Sequence, residues 1–420
     1  MLHLMLSNAS VLFSETFHSL KIRNYRIFFI GQCISLTGTW MQRTAEIWLV
    51  YTLTKSPFLV GLFGVCQFIP MLLLSLFVGA LIDRLPKRKL LLFTEFLFMA
   101  QAAVMTILTY THLIRYWHLL VLAVVFGIAQ TIDLPTRQAF FYEMVGKKEI
   151  ANAVSLNSAI TNLAKMTGPA ISGVVLASFG TVFCFFVNAV SFVAVIVSIL
   201  LIHVDEIVHR DAAGGNVIRD VGKGLRYITE NETLLLNTLI FGIVSTLAMN
   251  NEVIVPIFAG SVLHLGAGGY TGLMTAAGLG AFCGALTIAF LSRNGVEKKY
   301  LLLGSIATSA LQIATILTRS YAVSLILLVC IGFLNLIIIP TVNSIYQLYS
   351  NDEYRGRVLS VYSLLNQGST PLGNFLVGAV MEGFGGASGF VFCGASTLLL
   401  LAPVCVWKRG ALAEWFAKKP

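Results

Sequence analysis

A few ionisable residues stand inside long apolar runs, and each is a candidate for chemistry. Arg43 and Glu46 lie three apart, and Asp133 and Arg137 lie four apart with Pro135 between them. On a helix both spacings put the pair on one face, where opposite charges can neutralise each other. Lys165 is flanked by Asn162 and Gly168, while Glu252 follows Asn250 and Asn251 and has no base within a helical turn. A carboxyl in a low-dielectric pocket can take up and release a proton, which makes Glu46, Glu252 and Asp133 the candidates for proton chemistry. Arg43, Arg137, Lys165 and Asn251 are candidates for contacting a bound group or for pairing with those acids. Lys165 reads more simply as a partner of Glu95 or Asp133, and the alternative to proton uptake for Glu252 is a place near the outer end of its helix, reaching water.

The elements that position these residues follow from composition. The chain is 57% hydrophobic and only 11% charged, with a mean hydropathy of +0.84. Such a chain has too little polar surface to face water, so most of its side chains must face lipid. A span needs roughly 20 apolar residues. Twelve such stretches are predicted, over 26–52, 57–82, 90–110, 117–142, 149–178, 181–203, 233–262, 269–292, 300–318, 321–349, 355–381 and 387–407. An ionisable side chain at the bilayer centre costs at least about 2.5 kcal/mol, so those inside spans must face a cavity or a partner.

Basic residues set the orientation. Of 28 Lys and Arg, 22 fall on one side of the predicted topology, and only Lys55, Arg115 and Arg319 on the other. Positive loops stay cytoplasmic, which places both termini inside. The net charge of +9 is thereby explained by topology and by attraction to anionic lipid, with no need of nucleic acid. Residues 1–20 lack Lys and Arg and show no small-residue cleavage site, so a lead segment on the cytoplasmic side is expected rather than a removable signal. The seven cysteines all fall in predicted spans and read as small apolar residues. Neither His203 nor His264 has a companion at metal-ligand spacing, and there is no GxxxxGK[ST] phosphate loop. No enzyme activity, metal or cofactor is expected. The glycine-rich run GAGGYTGLMTAAGLGAFCGA (266–285) reads as close helix packing.

The chain repeats itself. Pro135-Thr136 returns as Pro340-Thr341, 205 positions on, and TGPAISG at 167 resembles TPLGNFLVG at 370. Glu46 and Glu252 are 206 apart, close to that offset, which predicts equivalent places facing one cavity. Two six-helix halves are therefore expected, 21–203 and 233–408, joined by a linker over 204–232 and followed by a cytoplasmic tail over 409–420. In the linker, Val217, Ile218, Val221, Leu225 and Ile228 recur at helical spacing, which suggests an interfacial helix or, given Gly222 and Gly224, a plain connector.

Residues 79–89, GALIDRLPKRK, place Gly79, Asp83, Arg84, Arg88 and Lys89 where the Major Facilitator Superfamily has its loop signature between the second and third helices. Pro86 departs from the Gly common there. GTWMQRTAEIWLVYTLTKSP (38–57), the segment over 133–173 and RGRVLSVYSLLNQGSTPLGNFLVG (355–378) further resemble the branch of enterobactin exporters and drug:proton antiporters. The resemblance covers about residues 20–408. It implies an all-α integral membrane fold of twelve helices in two pseudo-symmetric halves, in a multi-pass protein of the bacterial inner (plasma) membrane. It implies a secondary transporter that exports a small amphipathic molecule, a siderophore or a lipophilic drug, by alternating access and proton antiport. The partners are then that molecule, protons and the lipid bilayer, and a monomer suffices. A lipid or lysophospholipid flippase, or a non-transporting membrane receptor or assembly protein, are the alternatives. The signature loop is expected to act as a cytoplasmic latch through Asp83, Arg84 and Arg88, and the match around Asp133 and Arg137 tilts that pair toward function. Trp40, Trp48, Phe68 and Tyr346 could line the cavity.

Overall fold

The computed structural model describes residues 17–204, 217–291 and 297–416. Most of the lead segment, the opening of the linker, Arg293 and the end of the tail lie outside the described residues, as do the side chains of Asp83 and Arg84 and the surroundings of Gly79.

The first three spanning helices are Arg23–Thr54, Pro57–Arg84 and Lys87–Tyr110. The turn between the first two is written locally. Lys55 takes a left-handed conformation after the first helix, and the Ser56 hydroxyl accepts a hydrogen bond from the Leu59 amide with Pro57 opening the second. A continuous run, Tyr116–Leu201, crosses three times because Gly146 (φ 70°) and Gly180 (φ 77°) interrupt it. Glycine takes positive φ without a Cβ penalty, so one residue makes each reversal. The fourth, fifth and sixth helices are therefore 116–145, 147–179 and 181–201.

In the second half the seventh helix is Glu232–Leu247, broken at 248–250 and resumed as Asn251–Ile257 with a π-turn at Phe258–Val262. The eighth to twelfth are Ala267–Leu291, Lys299–Ala314, Tyr321–Tyr349, Asp352–Phe384 and Ser388–Trp407. The predicted twelve spans and their two halves are all present. The first and eleventh helices, at 32 and 33 residues, are long enough to span but more polar than the other ten.

The halves meet along two helix pairs, the second against the eleventh and the fifth against the eighth. At the end remote from the basic loops they are sealed. Ser56 Oγ donates to Glu382 Oε2 at 2.7 Å, the Phe58 amide donates to the same oxygen at 3.2 Å, and Gly61 lies against the backbone of Asn374. Val50, Tyr51, Val60 and Phe63 of the first half share one buried cluster with Val253, Ile257, Tyr270, Val377 and Met381 of the second. Within the second half, Gly280 and Gly284 face the carbonyls of Val329 and Phe333, so the glycine-rich eighth helix does pack closely on the tenth.

Toward the basic end the linker residues Val217–Glu230 form a helix that packs on the seventh and eleventh helices. Tyr227 stacks on Tyr354 of the eleventh helix at 4.5 Å and Ile228 is buried against protein. Arg88 donates to the carbonyls of Ile199 and Leu200, closing the C-terminal end of the sixth helix. The lead segment is docked at its end, where the Ser19 amide donates to Asn152 Oδ1. The tail continues as a helix, Arg409–Phe416, with Trp415 buried. All seven cysteines lie in helices, but only Cys184 and Cys393 are buried and Cys283 is exposed.

Candidate functional site

A cavity of about 450 Å³ lies between the halves, a size suited to a small molecule. Its lining runs from Ile47 and Tyr270 at the sealed end to Ala159, Leu286 and Ile339 toward the basic end. The close contacts between the second and eleventh helices run over 57–72 and 368–382, nearer the sealed end.

The polar residues of the cavity come from both halves. Arg43 of the first helix donates through Nη2 to Glu252 Oε2 of the seventh at 2.6 Å, an ion pair that ties the halves together. The guanidinium also rests on the rings of Trp40 and Phe68, at 5.2 and 5.3 Å. Lys165 of the fifth helix places its ammonium 5.2 Å from the Trp40 ring centre, within electrostatic range of Glu252. Asn251 and Asn335 line the same space, and each has a buried amide oxygen without a partner, as does the Tyr270 hydroxyl.

The break in the seventh helix positions Glu252. Asn250 turns its side-chain amide back onto the carbonyls of Thr246 and Leu247, and Gln312 donates to the freed carbonyl of Ala248 at 2.7 Å. The broken backbone is thus satisfied by side chains, as the membrane interior requires.

A second site is buried in the first half beside a cavity of about 170 Å³ that shares Trp40 and Arg43 with the central one. Arg137 binds Asp133 at 2.6 Å and Glu95 at 2.7 Å, Thr94 donates to Asp133, and the guanidinium lies over Phe28. One guanidinium therefore serves two carboxylates.

Several predicted placements are corrected. Glu46 does not face the cavity or pair with Arg43; it is 4% exposed and accepts hydrogen bonds from Gln42 and Gln101, with Asn188 holding Gln42 in turn. Three residues of helix turn Glu46 about 60° away from Arg43, toward the third and sixth helices. Lys165 pairs with neither Glu95 nor Asp133, because Arg137 holds both. Glu252 is not at the outer end of its helix; it stands in the first turn of the resumed segment Asn251–Ile257, partly exposed to the cavity and paired with Arg43 of the opposite half. Asp133 and Arg137 do neutralise each other, with Glu95 as an added member. Trp40 lines the cavity and Phe68 supports Arg43, whereas Trp48 stacks on Tyr270 and Tyr346 is fully buried, donating to or accepting from Thr238 at 2.8 Å. Tyr270 and Asn335 were not singled out by sequence; a lone polar atom within an apolar or glycine-rich run was the available signal.

Comparison with known proteins places this geometry. The family described as transmembrane secretion effectors, within the Major Facilitator Superfamily, matches residues 14–419. The staphyloferrin A transporter of Staphylococcus aureus is 25% identical over 381 residues, 89% of this chain and 94% of that protein. The multidrug efflux pump Tap of Mycolicibacterium fortuitum is 25% identical over 366 residues, 84% of this chain and 88% of that one. Among solved structures, a bacterial homologue of the human lysosomal transporter Spinster, in an inward-facing and unoccupied conformation, superposes with a TM-score of 0.69 over 90% of this chain and 95% of its own, at 13% identity. With a cavity between two halves, twelve spans and a match over nearly its whole length, the chain belongs to the transmembrane secretion effector family of the Major Facilitator Superfamily.

Proposed function

We propose that the protein is a secondary efflux carrier that exports a small amphipathic molecule by alternating access, in exchange for protons. The observation that carries the reading is the cavity built from both halves and crossed by the Arg43–Glu252 pair, sealed at one end by an apolar plug. With the basic end in the cytoplasm, this is the state that loads cargo from inside. Rocking the halves would break the seal between the second and eleventh helices and close the opposite end.

Glu252 is the carboxylate of the central cavity. Protonating it removes the charge that holds Arg43, so proton uptake loosens a contact between the halves. The buried cluster of Glu95, Asp133 and Arg137 has an excess of one carboxylate over its single cation, and a proton arriving there would balance it. Glu46, enclosed by amides, is assigned a structural role. The name of the multidrug efflux pump supports export, and staphyloferrin A and drugs are the cargoes that the relatives' names give; a siderophore or a lipophilic drug is the cargo we propose.

Everted vesicles from host cells test the coupling. Respiration acidifies their interior and quenches a pH-sensitive dye, and an extract of spent medium or a panel of drugs is then added. Recovery of fluorescence with the intact chain, and its loss in Glu252→Gln, is expected. No recovery with any addition, from vesicles whose chain exports in intact cells, contradicts proton antiport.

A further inference from the structure

The central cavity faces its contents with more positive than negative charge. Arg43, Lys165 and Glu252 are its ionisable lining residues among those that can carry charge near neutral pH. Arg43 spends one amino group on Glu252, and its Nε is buried without a partner. Lys165 has no carboxylate at ion-pair distance among the described residues; its described contact is the face of Trp40. One carboxylate therefore answers two cations. An ammonium without a counter-ion inside a membrane protein is unfavourable, and a bound anion removes that penalty.

The neutral polar groups fit the same partner. The hydroxyl of Tyr270 and the amides of Asn251 and Asn335 have unused hydrogen-bonding capacity and lie in the same lining. The Tyr270 hydroxyl can donate to an acid group as it stands, whereas the unpartnered atoms of Asn251 and Asn335 are amide oxygens, so each amide must turn over to present its NH2. The rest of the wall, with Met166, Met274, Leu286 and Ile339, is apolar and adaptable. A cationic cargo would instead add a third positive charge beside Lys165 and Arg43.

We infer that the cargo is an amphipathic anion, with its acid group held by Lys165 beside Arg43 and its apolar body along the methionine-bearing wall. The inference rests on the efflux reading of this cavity and narrows it to one substrate class.

The test uses the full chain in lipid nanodiscs and three probes of one apolar body: naphthylacetate, naphthylacetamide and naphthylethylammonium. Equilibrium dialysis, corrected with protein-free nanodiscs, measures saturable binding. The anion is expected to bind about tenfold or more tightly than the neutral amide, the worth of a charge-assisted hydrogen bond. Lys165→Met should bring the anion's affinity down to that of the amide measured on the same variant, and Lys165→Arg should retain the preference; both variants must melt as the native protein does. Amide or ammonium binding as tight as the anion, or an unchanged preference in Lys165→Met, overturns the charge assignment and leaves efflux standing. No saturable binding of any probe also overturns the assignment. Efflux itself is tested separately and fails if intact cells export nothing through the chain.

Discussion

Gly61 offers a way to push the halves apart without touching the cavity. A Cβ built there would lie 2.4 Å from the carbonyl oxygen of Asn374 and 3.3 Å from the Gly378 Cα. Both are backbone atoms of the eleventh helix, so no side chain can swing away, and Gly61→Ala forces the second and eleventh helices to separate. Overpacking of this kind costs about 1–3 kcal/mol. The cost falls only on the state in which these helices touch. The gain in helix propensity on replacing glycine, about 1 kcal/mol, is common to both states and cancels. The ratio of outer-open to outer-closed protein should therefore rise by roughly 5- to 150-fold, since each 1.4 kcal/mol is a factor of ten. Spin labels at Thr111 and Ser320, exposed at the sealed end of each half, report this by pulsed electron paramagnetic resonance in a background without native cysteines. Gly61→Ala should raise the population at longer distance. Gly242→Ala, whose added Cβ meets only Leu365 Cδ2 at 3.7 Å, should not. An unchanged distribution in a Gly61→Ala protein that melts normally would refute the assignment of the outer seal to this helix pair.

Removing the guanidinium of Arg137 strands Glu95 and Asp133 in the interior, so Arg137→Met should lower stability by about 3–5 kcal/mol, seen as an earlier thermal melt in detergent; an unchanged melt would mean the cluster is hydrated. Glu46→Gln keeps an acceptor for Gln42 and Gln101 and should leave gradient-driven export within about twofold of native, a change under roughly 0.5 kcal/mol, whereas Glu252→Gln should abolish it. Equal loss in both, measured in everted vesicles, would return Glu46 to the coupling machinery. Tyr227→Ala removes a stacked pair worth about 0.5–1.5 kcal/mol, together with the hydroxyl that accepts the Asn351 amide, and should speed hydrogen exchange of 222–230 by at least roughly 2-fold, leaving the first six helices unaffected. Matching acceleration in the first half would show that the linker helix is not anchored to the second alone.

The spans were legible because each needs a long apolar run, whereas the part that Gly146 and Gly180 play between them shows only in their positive φ. Less of the site could be read. Spacing of three or four residues reports neighbours on one helix, and it found Asp133 with Arg137. It could not find Arg43 with Glu252, which are 209 residues apart and meet only when the halves dock. The repeat offset also misled. Glu46 and Glu252 occupy similar positions in the two halves, but the interruption at 248–250 reorients the chain before Glu252, and no such break precedes Glu46. Asn250 and Asn251 marked the break in the sequence, although they read there only as polar companions of the acid. Lys165 was assigned to the nearest unsatisfied acids, which Arg137 had already taken.

The most direct test of the account is untargeted mass spectrometry of spent medium and washed cells, from a host with the intact chain, with Glu252→Gln and without the gene, grown in low and high iron. The account predicts at least one acidic, amphipathic small molecule that is enriched outside and depleted inside only with the intact chain. Identical profiles from all three strains, with the protein present in the membrane, would contradict export by this cavity.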